Sequence, residues 1–332
     1  MNQPTRRQFL LNTGKALGGL ALVQSTPSWA FAALQPNSDL VHRSSRAMGT
    51  SLRLSLLKDE FKSVVADASF ERLQEIDRLL TVHNIDSQLM SMNRLSGTWI
   101  SGREIAEVSA AALELGNKTE GAMDVTVLPA MRRFGFVPGS VTDSDRIDYS
   151  KLQVRGDKAR VREEGVGADF GGIAKGYGVD EAVRILSENS MAAALIDAGG
   201  DLYALGRPEK DRLWKIGIRH PDRENDLVAT LEIENEAVAT SGTYLQKRKV
   251  GSKEVSHLMD PKTGMPVDHV LSSTIVTSST MLADGLATAT SVMKPTAAQH
   301  LIESTDGAEG FWIYSDGSHH ITSGLCARLT LL

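Results

Sequence analysis

Strand and helix signals follow one another in this chain without the regular strand–helix–strand beat of a doubly wound sheet, and that irregular order constrains its fold most. Residues 47–57 (Ala-Met-Gly-Thr-Ser-Leu-Arg-Leu-Ser-Leu-Leu) alternate apolar and polar side chains and predict one half-buried strand, with residues 33–45 as a polar entry arm. Val65, Phe70, Leu73, Ile76 and Leu80 recur at helical spacing through 61–80, and a second helix is predicted over 105–115. Residues 137–165, rich in Gly, Asp and Arg, read as surface connections and short strands. Residues 167–170 read as a strand end, which Gly171-Gly172 turns into a helix over about 173–188. A hairpin is predicted over 192–205 around Gly199-Gly200-Asp201, followed by strands at 214–219, 227–233 and 237–240. A helix over 281–293 and a strand-rich segment, 310–332, close the chain. The mixture predicts an α+β fold with mixed or antiparallel sheets packed against helices.

The first 32 residues read as a leader. Thr5-Arg6-Arg7-Gln8-Phe9-Leu10-Leu11 is a twin-arginine pattern, a short apolar run follows, and Ala30-Phe31-Ala32 is a small-x-small cleavage site. The run is too short and glycine-rich to span a bilayer, and no cysteine beside the cleavage site offers a lipid anchor. The expectation is export by the twin-arginine route to the periplasm, leaving one unit over 33–332. The single cysteine, Cys326, excludes an internal disulfide and thiolate-bound zinc or iron–sulfur sites, and is expected in the core. Without the leader's cations (Arg6, Arg7 and Lys15) the chain carries 33 Lys+Arg against 41 Asp+Glu. Such an acidic balance argues against nucleic acid or an anionic membrane as partner.

Chemistry concentrates late in the chain. Val255-Ser256-His257-Leu258-Met259-Asp260-Pro261-Lys262-Thr263-Gly264 makes a turn, because Pro261 fixes its own φ and Gly264 permits left-handed geometry. His257 is the only side chain there with an ordinary pKa near neutrality. Asp284 and Thr288 stand four apart, so on a helix their oxygens share one face and suit Mg²⁺ or Ca²⁺ better than zinc. Upstream, Asp169-Phe170-Gly171-Gly172-Ile173-Ala174-Lys175-Gly176 is a strand–glycine–helix junction, where outward-pointing amides can bind phosphate. Its glycine spacing matches neither a Rossmann fingerprint nor a P-loop. Met123-Asp124-Val125-Thr126-Val127-Leu128-Pro129 sets an acid and a hydroxyl in an apolar segment, and Ala239-Thr240-Ser241-Gly242-Thr243 resembles a strand end or an anion-facing turn. Taken singly, these elements have plainer readings: a cap, a tight turn, a solvated helix face, a structural histidine.

Their order is specific. Met48-Gly49-Thr50, Asp86-Ser87-Gln88-Leu89 through Asn93, Asp124 through Pro129, Asp169 through Tyr177, Gly199-Gly200-Asp201, Ala239 through Gly242, the His257 turn and Ala283 through Thr288 together resemble the ApbE family of FAD:protein FMN transferases. The likeness runs along nearly all of the chain after the leader, which itself resembles the NosX-like branch serving nitrous-oxide respiration. The resemblance implies a T-fold-related single catalytic unit that cuts FAD, passes FMN to a Thr or Ser hydroxyl of an acceptor protein and releases AMP. It implies Mg²⁺ held by Asp284 and Thr288 with backbone oxygens of Gly172 and Ala287, and His257 as general base. By the same resemblance Met48, His83, Ala122, Met123, Asp124, Asp169, Lys175 and Leu258 contact FAD. His83 replaces a frequent Tyr, and Met123 and Val125 replace common Phe and Pro/Ile, changing pocket shape. The implied partner is a membrane electron-transfer flavoprotein subunit, in the NosX-like branch one of nitrous-oxide respiration, bearing a Ser/Thr-Gly-Ala-Thr-like segment. Two other readings share these residues: an FAD pyrophosphatase with water as nucleophile, and a periplasmic flavin carrier that needs neither base nor metal.

Overall fold

A computed structural model describes residues 39–223 and 226–332; the predicted leader lies outside the described residues. Eight strands form one antiparallel sheet and lie side by side in chain order. They are β1 (Leu40–Ala47), β2 (Thr50–Leu57), β3 (Ala194–Ala198), β4 (Asp201–Leu205), β5 (Glu236–Gly242), β6 (Val270–Thr277), β7 (Glu309–Tyr314) and β8 (His319–Ile321). Two tight turns set the register at the β1–β2 and β3–β4 hairpins. Met48 and Gly49 have φ of 53° and 71°, and Gly199 and Gly200 have φ of 71° and 106°, the left-handed pairs that match the twist of flanking strands.

Seven helices are described: α1 (Ser63–Leu80), α2 (Gln88–Arg94), α3 (Arg103–Lys118), α4 (Leu128–Arg133), α5 (Ala174–Glu188), α6 (Thr280–Val292) and α7 (Pro295–Glu303). α5 packs on β3 and β4, α6 on β5 and β6, and α1 on α5. Strand alternation divides the core between the two faces of the sheet. Ala194, Ile196 and Ala198 of β3 join Leu52, Leu54, Phe70, Leu73 and Val179 on the helix side. Leu195 joins Leu202, Val238 and Phe311 on the other side, under a three-stranded sheet of Trp214–Arg219, Leu227–Ile233 and Leu329–Leu331. No helix among the described residues is long and apolar enough to cross a membrane.

The architecture is the expected α+β, with local corrections. The expected polar arm contains edge strand β1, paired with β2 from Leu40↔Leu57 to Ala47↔Thr50, and the expected single strand over 47–57 is broken by the Met48-Gly49 turn. An edge strand exposing His42, Ser44 and Arg46 lacks the apolar density that marks a strand in sequence. Residues 167–170 form no strand; Gly167 makes only an isolated parallel bridge to Val127. Instead the Asn93 amide grips Ala168: its Nδ2 donates to the Ala168 carbonyl (2.8 Å) and its Oδ1 accepts from the Ala168 N–H (2.7 Å). A side chain thus satisfies the backbone groups that a neighbouring strand would have paired. Cys326 is exposed rather than in the core; Leu325 beside it takes the buried position.

Candidate active site

The site is built where α5 and α6 cross in opposite directions, each offering a carboxylate to the start of the other. Asp284 on α6 accepts from the Gly176 N–H in the first turn of α5 (3.0 Å). Asp180 on α5 accepts from the Thr280 and Met281 N–H groups (2.7 and 3.0 Å) and from the Ser279 hydroxyl (2.8 Å) at the start of α6. Each carboxylate satisfies helix-terminal amides that would otherwise lack partners, at the positive end of the dipole. Gly176 permits this approach, since a Cβ there would lie 2.3 Å from the Thr280 carbonyl oxygen. The glycine junction ahead of α5 is held by Asp169, which accepts from the Gly171 N–H (2.9 Å), and by the Phe170 carbonyl, which accepts from Ile173 and Ala174.

Lys175 projects from that junction between two buried acids, bonding Asp201 on β4 and lying 3.5 Å from Asp284. Burial pushes the Asp284 carboxyl up to about 7, and the neighbouring Asp201 adds to the rise against the pull of Lys175. Burial also raises Asp201 despite its lysine partner. Burial opposes the charge on Lys175, yet the two acids outweigh it and hold the ammonium above its ordinary range. One lysine serves two buried carboxylates, so the site is short of one positive charge. Beside it, the Thr288 hydroxyl donates to the Gly172 carbonyl (3.3 Å) and lies 3.4 Å from the Ser241 hydroxyl. A Cβ at Gly172 would stand 2.8 Å from Thr288 Oγ1, so the close approach requires glycine. The Ala287 carbonyl is inside α6 and accepts from the Ser291 hydroxyl (2.8 Å). Among the described residues no three His, Cys, Asp or Glu side chains converge as a metal site, so hydroxyl and carbonyl oxygens must supply part of any cation shell.

His257 enters from a hairpin of Lys247–Val250 and Lys253–Ser256. Its N–H donates to the Gln246 carbonyl (3.2 Å), and its Nδ1 lies 3.3 Å from the same oxygen. Assigning the ring proton to Nδ1 leaves Nε2 as the acceptor. The Phe136 ring meets the imidazole edge-on at 6.4 Å between centroids. Burial lowers His257 to about 4, and the Lys175 charge adds to the lowering, so the neutral base lies in the field of the lysine that joins the two acids. Asp260 serves the turn: its carboxylate accepts from the Lys262 N–H (3.0 Å) and Thr263 hydroxyl (2.8 Å), while its carbonyl accepts from Gly264, whose φ is 64°.

The remaining expected contacts surround this centre unevenly. Met48 donates its N–H to Asp77 (2.7 Å) and lays its thioether against Gly178 of α5. Burial raises Asp169, and the His83 charge opposes that shift, so exposed His83 lies within its field. Ala122, Met123 and Leu258 are buried. Both Asp124 oxygens are engaged locally, one by the Thr126 N–H and hydroxyl (2.7 and 2.6 Å), the other by the Tyr149 N–H (3.0 Å). The carboxylate thus holds a turn and ties it to the Tyr149 segment; it is not the helix cap that the segment suggests by itself, since α4 starts after Val127 without a side-chain cap. Asp201, Ser241, Asp180 and Asn93 are site components absent from the expected set. A charged residue directly after a glycine pair in an apolar hairpin was the available signal for Asp201; Asp180 carries none, because it looks like an ordinary helix acid.

Comparison with known proteins gives the family and the fold. The chain matches the ApbE family over residues 48–312. It is 30% identical to an FAD:protein FMN transferase of Klebsiella pneumoniae (strain 342) over 323 residues, covering 91% of this chain and 92% of that one. It is 29% identical to the FAD:protein FMN transferase of Salmonella typhimurium, covering 82% and 83% of the two chains. The fold matches a crystal structure of the ApbE protein from Thermotoga maritima with a TM-score of 0.79 at 25% identity, covering 86% of this chain and 97% of that one. It matches the flavin transferase ApbE from Vibrio cholerae with a TM-score of 0.76 at 26% identity, covering 88% and 100%. The chain is a member of the ApbE family.

Proposed function

We propose that the protein transfers the FMN half of FAD to a Ser or Thr hydroxyl of an acceptor protein, releasing AMP. The observation that carries this reading is a neutral imidazole within the field of Lys175, the one cation bonded to two buried acids. The donor set fits Mg²⁺: the Asp284 carboxylate, the Thr288 hydroxyl and the carbonyls of Gly172 and Ala287 are all hard oxygens. Bound there, Mg²⁺ would neutralise the pyrophosphate and polarise the phosphorus under attack. Lys175 supplies a fixed positive charge beside the phosphates. His257 accepts the proton of the attacking hydroxyl at Nε2. A new bond joins that oxygen to the FMN phosphorus, and the bridging P–O bond breaks with its electron pair leaving on AMP. The twin-arginine leader supports a periplasmic place of action, and the family likeness supports an electron-transfer flavoprotein with a Ser/Thr-Gly-Ala-Thr-like segment as acceptor.

The test is to incubate residues 33–332 with FAD, Mg²⁺ and an acceptor domain bearing such a segment and to record the acceptor's intact mass. An FMN-sized gain that requires Mg²⁺ and is lost in His257→Ala is expected. Free FMN and AMP with an unmodified acceptor would instead identify a pyrophosphatase, and intact FAD throughout a carrier.

A further inference from the structure

The hairpin that ends in His257 is more than a support for that residue. Its sequence from Gln246 to Ser256 holds four cations (Lys247, Arg248, Lys249 and Lys253) against one acid, Glu254, in a chain whose net charge is −5. Residues 246–254 are all exposed, and among the described residues none of the four cations has an acidic partner in an ion pair. Among the described residues the two strands pair only with each other.

Register sorts these charges. Arg248 pairs with Val255 and Val250 with Lys253, and the bond from the His257 N–H to the Gln246 carbonyl extends the same ladder by one step. Side chains alternate along a strand, so His257, Val255 and Lys253 share one face with Gln246, Arg248 and Val250. That face carries two cations and no acid, and Glu254 falls on the other face opposite Lys249. Two contacts with one loop agree: the Phe136 ring lies against His257, and a Cβ at neighbouring Gly135 would lie 3.4 Å from the Arg248 guanidinium. Same-face neighbours along a strand are about 7 Å apart, so a cation stands one and two such steps from the imidazole.

We propose that this face is the docking surface for the acceptor protein, and that it selects an extended acceptor segment with carboxylates within about four residues of its hydroxyl. The proposal rests on the transfer reading above, since that reaction brings a second polypeptide to His257. Arg248 and Lys253 bind the acceptor's acids and fix the register of its hydroxyl at Nε2, while the FAD side of the site lies on α5 and α6. In a chain of net charge −5, a basic strip beside the base draws an acidic segment to the place where the acceptor must land.

Two fluorescein-labelled peptides test this, identical in a central Ser-Gly-Ala-Thr segment and flanked within four residues by Asp and Glu in one and by Asn and Gln in the other. Binding is read by anisotropy on residues 33–332 with FAD and Mg²⁺, and covalent FMN by mass. The acidic peptide is expected to bind roughly tenfold tighter at low salt, with the preference collapsing as ionic strength screens exposed charges. The double variant Arg248→Glu/Lys253→Glu is expected to lose that preference while keeping the parent's melting temperature and FAD-induced thermal shift. Equal binding of the two peptides, or a preference surviving in the folded double variant, overturns the proposal. A preference for the acidic peptide without any FMN gain upholds the surface and counts against the transfer reading.

Discussion

At the scale of single residues, function turns on groups whose burial disfavours charge. His257 is lowered to about 4 from an ordinary 6.5. As pH falls, the unfolded chain takes up a proton near 6.5 that the folded imidazole refuses until about 4, so stability declines across that window. For catalysis the same shift keeps the base free, and the acid limb that His257 imposes on the pH profile of FMN transfer is expected near pH 4. Replacing it with Ala should cut kcat by about 10²–10⁴-fold with FAD binding retained; a loss under tenfold would remove it from the base role. Asp284 behaves oppositely. Its folded pKa is raised from 3.8 to about 7, so its contribution to stability is complete below pH 3.8 and lost as pH climbs through 7. Metal-free Asp284→Asn should therefore melt higher than the parent at pH 8, with the advantage fading toward pH 4. Only the parent should gain melting temperature on adding Mg²⁺. Equal melting of the two proteins at pH 8 would show that the buried carboxylate is not strained.

At the scale of elements, the site depends on two close fits. Gly176→Ala places a methyl against the Thr280 carbonyl, so α6 must shift and carry Asp284 and Thr288 with it. Overpacking of this kind costs about 1–3 kcal/mol, and the Mg²⁺-dependent thermal shift should shrink together with the melting temperature. An unchanged Mg²⁺ response would mean that the helices can separate without disturbing the ligands. Asn93→Ala removes both partners of Ala168, leaving a backbone donor and acceptor unpaired just ahead of the glycine junction. The expected loss is about 1–3 kcal/mol by chemical denaturation. Asn93→Asp keeps the acceptor and should retain part of the stability.

At the scale of the whole molecule, the eight-stranded sheet separates chemistry from cover. The helix face bears the site, and the opposite face is closed by the three-stranded sheet with Trp214, Ile216 and Leu231 in its core. Ile216→Ala should cost about 2–5 kcal/mol of global stability while leaving FMN transfer per folded molecule unchanged. A matching fall in turnover at temperatures where the variant is fully folded would show that the two faces are coupled.

The sequence by itself determined the inventory and the local geometry. Glycine pairs, the Asp-Pro-x-Thr-Gly turn and helical spacing act over a few residues, and the turn, α5, the β3–β4 hairpin and the Asp284–Thr288 face appear where those signals put them. Short or polar elements were illegible for the same reason: α2, α7 and the Lys247–Ser256 hairpin lack apolar periodicity long enough to register, and β1 looks like a solvated arm. Only tertiary structure decided that Lys175 meets Asp201 as well as Asp284, and that Asn93 replaces a strand beside Ala168. Those outcomes depend on strand register and on how closely two helices can cross. Both are set by packing among residues far apart in the chain, which no local pattern encodes.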